Sequence, residues 1–425
     1  MFIGYFTERP YQRRDRPWYG GMVQDLQISN SEYDPVLGAQ LYNRYLDEKA
    51  HAEDVGFDGL ILNEHHSTPF CMGGVLNVEA AILARMTSKA KIVLMGNVLP
   101  IWDDPLWLAE QLAEIDMISN GRLVTGWVRG TGRESFAHNA QPAYNWERFQ
   151  EAHDFILKAW TDPGPFRWEG EHYDYRYVNP WMRPLQSPHP PIWIPGVYSK
   201  NTVEWAARHR YPYFMLSTAL EATRQSFEFY SSVAEDEGFE AGPEHRGYLF
   251  KVHVDETEEL AYETGRKYLE GPGNLFLEGS PSLANRAVQQ LPGLVSRNHV
   301  LPTGKVAHVA AARGRAVGPA PKQLTGAARR AAITATYEKQ LAEHTIISGT
   351  PDVVIKKVRH VMETLRPGSI GFWDGDGDMT HDDATRSLRL MGSEVLPAVH
   401  EIARELGLSS PFEVDPNTAN LAVSE

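Results

Sequence analysis

Short apolar runs recur along this chain, and the stretches between them carry apolar residues at helical spacing. Ile3 to Phe6, Asp58 to Leu62, Lys91 to Pro100, Arg122 to Arg129, Pro191 to Pro195, Tyr211 to Ser217, Tyr248 to Val254 and Ser369 to Trp373 have strand length. Their near-continuous apolar character is that of strands buried on both faces. Helices are predicted between them. Leu41, Tyr45, Leu46 and Ala50 keep a helical period, and Gly56 follows, where a glycine ends a helix well. Asp104 before Pro105 is an N-cap with proline in the first turn, and Leu108, Leu112 and Ile115 then share one face. Further helices are predicted over Val78–Met86, Arg148–Trp160, Ser199–His209, Thr223–Glu237, Thr257–Leu269, Asp352–Leu365 and Asp383–Leu406. Eight strands alternating with helices predict an α/β fold, a (β/α)8 TIM barrel, as one domain over residues 1–425.

Three stretches interrupt the alternation. Asp162 to Pro190 is a proline- and aromatic-rich connection. Tyr11 to Tyr33 is aromatic and arginine-rich, too long for a plain connection, and is expected to cover the barrel mouth. Between Arg286 and Lys339, six arginines and three lysines stand against the single acid Glu338, in a chain whose formal charge is −14. An insertion over residues 280–345, before the eighth strand, is therefore expected to be a mobile basic lid suited to drawing in an anionic ligand.

Composition narrows the class. A 42% hydrophobic and 23% charged chain is that of an ordinary globular protein, and no window approaches the apolar length of a membrane span. Met1 to Phe6 is expected to be a first strand and not a signal peptide, so a cytoplasmic location is expected. One cysteine, Cys71, excludes an internal disulfide and a multi-cysteine metal site. The negative balance argues against nonspecific nucleic-acid binding, which needs basic surface.

Chemistry in such a barrel belongs at the C-terminal ends of the strands. The second strand stops on Asn63-Glu-His-His66 and the fourth on Arg129-Gly130. Adjacent His65 and His66 on a strand would point to opposite faces, a poor two-ligand site, so no metal is expected. Asp374-Gly-Asp-Gly-Asp378 fails as a calcium loop, because Met379 stands where glycine is needed and Thr385 where a bidentate glutamate is needed. Gly130-Thr-Gly132 has Ser135 in place of the third glycine of a dinucleotide fingerprint, and no phosphate-loop or serine-hydrolase elbow occurs. What remains is a set of anion grips. Tyr198-Ser-Lys-Asn-Thr202 opens a helix whose free amides and hydroxyls suit a phosphate, and Arg129 and Arg148 suit the same group. Ser199 as an ordinary N-cap and the arginines as surface ion-pair residues are the competing readings.

Asn63–His66, Gly96–Pro100, Ile115–Leu123 leading into Val128-Arg-Gly130, Pro190–Trp193, Ser199–Ala207, Gly349-Thr-Pro351 and Gly392–Pro397 form an ordered set. Through them the chain, over nearly its whole length, resembles the bacterial luciferase-like flavin-dependent monooxygenases. The resemblance implies a barrel that binds FMN as FMNH2, reacts it with O2 to a flavin hydroperoxide and oxygenates a small hydrophobic organic substrate. It further implies an NAD(P)H:flavin reductase as partner and a homo-oligomer. The alternatives within the superfamily are a deazaflavin-dependent hydride-transfer oxidoreductase and a non-catalytic flavin-binding protein. By the same resemblance, His65 falls on the active-site histidine, and Arg129, Arg148, Ser199 and Thr202 on the flavin-phosphate positions. Tyr198 stands where luciferase has a glutamate. Met95 and Asn97 lie beside the isoalloxazine ring, and the Met95–Gly96 bond falls where luciferase has a non-prolyl cis peptide. Phe6 and Trp373, with Trp18 and Trp127, are expected either to offer aromatic surface to the substrate or, equally, to pack the barrel core. Val128 replaces the reactive cysteine of luciferase, so light emission is not implied.

Overall fold

Parallel strands returned by helices have both faces covered, and in this chain closure removes the edges as well. The computed structural model describes residues 1–13, 28–130, 132–197, 199–270 and 326–414. Its barrel strands are β1 (Phe2–Phe6), β2 (Gly59–Leu62), β3 (Lys91–Leu94), β4 (Leu123–Val128), β5 (Ile192–Gly196), β6 (Tyr213–Leu216), β7 (Arg246–Val254) and β8 (Ser369–Trp373). Each pairs in parallel with the next, and β8 returns to β1. This is the (β/α)8 barrel that the apolar pattern predicts. The returning helices are α1 (Pro35–Asp54), α2 (Leu76–Met86), α3 (Pro105–Ile118), α4 (Asn145–Thr161), α5 (Lys200–Arg208), α6 (Leu220–Asp236), α7 (Glu258–Arg266), α8 (Gly326–Ala342), α9 (Pro351–Leu365), α10 (His381–Leu390) and α11 (Leu396–Leu406). No helix among the described residues is long and apolar enough to cross a membrane.

Strand alternation sorts the side chains into two cores. Phe2, Phe6, Ile61, Val93, Val124, Trp193, Phe214, Leu249 and Trp373 fill the barrel. Their neighbours Ile3, Tyr5, Leu60, Leu62, Trp127, Ile194, Tyr248 and Phe372 pack outward in the cluster shared with the helices. At the N-terminal end the interior is closed by aromatic rings. Phe2 meets Trp193 edge-on at 5.4 Å, Trp193 stacks on Phe214 at 5.6 Å, and Phe412 plugs the opening 5.5 Å from Phe2. Higher up, a Cβ on Gly4 would lie 2.6 Å from Ile61, so that layer is filled by one long side chain where two would collide.

The segment Ile115–Leu123 has its structural account at the same end. Arg122 donates to the carbonyls of Ser119 (2.8 Å), Ala90 (2.7 Å), Ala84 (2.6 Å) and Thr87 (3.0 Å), tying the end of α3 to the turn between α2 and β3. Groups on this face of a barrel serve stability.

Several expected elements differ in detail. The Lys91–Pro100 strand stops at Leu94, a cis peptide joins Met95 to Gly96, and only Asn97–Val98 resumes pairing, against Trp127–Val128. The 162–190 connection contains an antiparallel hairpin, Phe166–Glu169 with Asp174–Val178, whose rings pack against Phe155 of α4. A further strand, Ile346–Gly349, pairs with the outer half of β7. Residues 280–325 of the expected lid lie outside the described residues. The remainder of that insertion is mostly α8, which buries Ile333 and Tyr337.

Beyond the barrel, β7 carries a buried histidine. His253 lies with Nδ1 3.0 Å from Asp374 and Nε2 3.5 Å from Asp255, and Arg386 reaches Asp255 with two donors at 2.7 and 3.0 Å. Burial disfavours the imidazolium, but the Asp374 charge and hydrogen bonds to both aspartates outweigh it and push His253 up to about 9. A raised pKa stabilises the fold fully below the unfolded value of roughly 6.5, and this contribution is lost as pH rises through about 9. The wild-type thermal midpoint is therefore expected to fall between pH 7 and pH 9.5 more steeply than that of His253→Asn. Parallel pH profiles for the two proteins would remove the histidine from the account. Arg122→Ala is expected to destabilise the protein by about 2–3 kcal/mol in chemical denaturation while leaving ligand binding at the opposite end intact.

Candidate active site

The chain leaves β2 at Leu62 and is immediately pinned. Asn63 donates its side-chain amide to Glu8 Oε2 (2.6 Å), and its carbonyl accepts from the buried Arg9 (2.5 Å). Glu64 Oε1 accepts from the Val98 amide at 2.9 Å, which ties this loop to the one after β3. Two anchored residues leave little freedom for the next side chain. His65 emerges with Nδ1 2.9 Å from Glu134 Oε1, and Glu134 Oε2 accepts the His66 backbone amide at 3.1 Å. The two histidines do diverge, but not through strand alternation, since the strand has already ended. Glu134 holds the ring of one and the backbone of the other. The His66 ring turns to His138, 4.1 Å away, and burial and the His66 charge together lower the His138 pKa.

His65 lines a cavity of about 290 Å³ at the C-terminal ends of the strands. Met95, Gly96 and Val98 form one wall, Phe6, Leu216, Leu249 and Trp373 the barrel side, and Arg129, Ser199 and Thr202 the far end. Phe6 and Trp373 meet edge-on at 5.2 Å. At the far end, buried polar atoms lack partners. Ser199 is the N-cap residue of α5, yet its hydroxyl makes no capping bond and Oγ has no hydrogen-bond partner among the described residues. Arg129 Nε is also buried without one, and no carboxylate among the described residues pairs with it. Burial lowers the Arg129 pKa, outweighing the opposing effect of Tyr213. A half-buried guanidinium, a hydroxyl unpartnered among the described residues and the first amides of a helix could hold an anion.

Not every expected residue comes to this cavity. Asn97 is fully buried with its amide donated to Asn77 of α2 at 3.0 Å, turned away from the cavity lining. Arg148, on α4, donates to the carbonyls of Pro100 (2.9 Å) and Trp102 (3.0 Å), pairs with Asp103 and lies over the Tyr173 ring, outside the lining. Trp127 faces the outer core, 6.0 Å from Trp160, because alternation along β4 turns it away from the interior. Tyr198 and Trp18 lie outside the described residues. Two acidic lining residues were missed in the sequence, Glu8 and Glu134. Glu8 stands just beyond the end of β1, so the rule that singled out His65 applied to it as well. Glu134 carried no signal, since its contact with His65 spans a loop and a short helix, Gly132–Ala137.

Similarity to known proteins agrees with this geometry. The luciferase-like monooxygenase family matches residues 29–366. The chain belongs to that family. The oxygenase component of the flavin-dependent trigonelline monooxygenase of Acinetobacter baylyi is 28% identical over 173 residues, 40% of this chain and 47% of that one. The alkanal monooxygenase alpha chain of Photorhabdus luminescens is 27% identical over 220 residues, 51% of this chain and 60% of that one. This chain thus spans about half the length of these curated relatives. Among solved structures, the oxygenating constituent of 3,6-diketocamphane monooxygenase from Pseudomonas putida, in complex with FMN, shares the fold. Its TM-score is 0.64 at 19% identity, over 93% of this chain and 98% of that one. An F420-dependent secondary alcohol dehydrogenase shares it too, with a TM-score of 0.59 at 15% identity, over 94% and 98%.

The phosphorylated flavin of a luciferase-like monooxygenase fits the residues present, because the unpartnered Ser199 Oγ and Arg129 Nε lie at one end of a cavity with apolar walls. Arg129→Ala is expected to weaken FMN binding by about tenfold to a hundredfold, as loss of a charged hydrogen-bond donor does. Ser199→Ala is expected to cost less, about threefold to tenfold. Fluorescence quenching of FMN measures both, and unchanged affinity in Arg129→Ala would place the phosphate elsewhere.

Proposed function

We propose that this chain is the oxygenase of a two-component FMN-dependent monooxygenase, taking FMNH2 from a separate NAD(P)H:flavin reductase and transferring one oxygen atom of O2 to a small hydrophobic organic substrate. The reading rests on one arrangement, Arg129, Ser199 and Thr202 lining the same largely apolar cavity as the His65–Glu134 pair. Reduced FMN, when bound, supplies the two electrons with which O2 is activated. The protein does the rest. Arg129, Ser199 and the first turn of α5 would hold the phosphate and fix the register of the ligand. Met95, Gly96, Val98 and Val128 would present an apolar wall that excludes water from it. Glu134 binds His65 Nδ1 and leaves Nε2 as the atom that gives or takes a proton, a role suited to imidazole near neutral pH. Phe6, Leu216, Leu249 and Trp373 offer the substrate a lining without charge. A separate reductase is supported by the absence of a dinucleotide fingerprint from the sequence and by a relative that is itself an oxygenase component.

A second reading, hydride transfer with a deazaflavin, is favoured by the fold shared with an F420-dependent dehydrogenase. Titrating the protein with FMN and with F420 separates the two, since binding of F420 alone would end the monooxygenase reading. In stopped-flow mixing with aerated buffer, protein-bound FMNH2 is expected to return to FMN at a rate distinct from that of free FMNH2. His65→Ala is expected to keep FMN affinity and to change that rate by at least about tenfold. An unchanged rate would remove His65 from the mechanism.

A further inference from the structure

Glu8 is a second acid on the same cavity wall, and it approaches His65 from the side opposite Glu134. Its Oε2 lies 4.0 Å from His65 Nε2 and accepts the Asn63 amide at 2.6 Å, and its side chain is buried. The other charges around it are largely committed. Arg9, buried behind it, pairs with Glu79 at 3.0 Å. Lys251 lies over the rings of Trp373 (4.7 Å) and Tyr268 (5.4 Å). Asp376 accepts from Trp373 Nε1 at 2.7 Å, and burial followed by the Glu8 charge pushes it up to about 7. Cys71 nearby is buried and pushed up to about 12, so its thiol stays neutral. Among the described residues, His65 is the basic side chain within ion-pair reach of the Glu8 carboxylate. On the His65 side, Glu134 lies 2.9 Å from Nδ1 and the uncharged Phe70 ring is 5.6 Å away.

We propose that Glu8 is a positioning residue that acts through His65. Its carboxylate on the Nε2 side, with Glu134 on Nδ1, stabilises the imidazolium and makes the ring the proton donor to the cavity. An acceptor in the cavity takes the Nε2 proton, and the ring remains neutral with its Nδ1 proton donated to Glu134. His65 also lines a second cavity of about 540 Å³ with Ser67 and Thr68. One carboxylate at hydrogen-bond distance already favours the imidazolium, and a second on the side of the other nitrogen raises the proton affinity further.

The inference builds on the role proposed for His65, but its test needs no flavin. In the full-length, flavin-free protein carrying labelled histidine, the His65 resonance is identified by its loss in His65→Gln and titrated by NMR. Glu8→Gln is expected to lower the proton affinity of His65 by about tenfold. Asp376→Asn, one residue further from the ring, is expected to lower it by less than about twofold. An unchanged midpoint in Glu8→Gln, or an equal drop in Asp376→Asn, overturns the proposal. Where Glu8→Gln does not fold, Glu8→Asp carries the test, since it keeps the charge but withdraws it. An intermediate drop supports the proposal and no drop overturns it. If wild-type protein fails to bind FMN, the proposed function falls while this comparison still stands.

Discussion

Closure of the parallel sheet is the constraint from which the site follows. With every strand paired on both sides, neither backbone nor side chains along the strands can reach water. Charged groups therefore gather toward the strand ends, and those inside a strand, such as Lys251 and His253 of β7, are buried against partners. At the N-terminal end, Phe2, Trp193, Phe214 and Phe412 fill the interior with rings, and Arg122 gathers the loose carbonyls around it. At the C-terminal end, the Phe6–Trp373 pair is the last apolar layer, and above it space remains. The cavity lies where the packing of the barrel stops.

Charges at that end are placed by a second rule, that a buried ion needs partners. Arg9, with φ of 59° and no exposure, joins the end of β1 to the Asn63 carbonyl and to Glu79 of α2. It therefore holds the β1 and β2 loops together behind the site. His253, Asp374, Asp255 and Arg386 do similar work beside it, where the chain leaves β7 and β8. Arg129 Nε and Ser199 Oγ break the rule, since these buried atoms lack hydrogen-bond partners among the described residues. This contrast between satisfied and unsatisfied groups separates the frame from the seat.

The sequence by itself determined the barrel, because a parallel strand buried on both faces leaves a continuous apolar run and a helix leaves a 3.6-residue period. All eight strands were visible in this way, as were the strand ends that carry His65 and Arg129. Phe6 and Trp373 line the cavity, whereas Trp127, expected beside them, packs in the outer core. In the loops, His65 and His66 diverge because of Glu134, and Asn97, placed by resemblance beside the flavin, donates to Asn77.

Only the tertiary structure decided which charged groups meet. Glu8 and His65 come from two separate loops and Glu134 from a short helix, and their distances depend on how these segments pack above the barrel, not on any spacing in the chain. Arg148 has the right residue type, but neighbouring carbonyls and Asp103 hold it outside the cavity. Hydrophobic periodicity records whether a position is buried, and so it fixes the frame. The partner of a buried ion is chosen by three-dimensional proximity across elements, which periodicity does not encode.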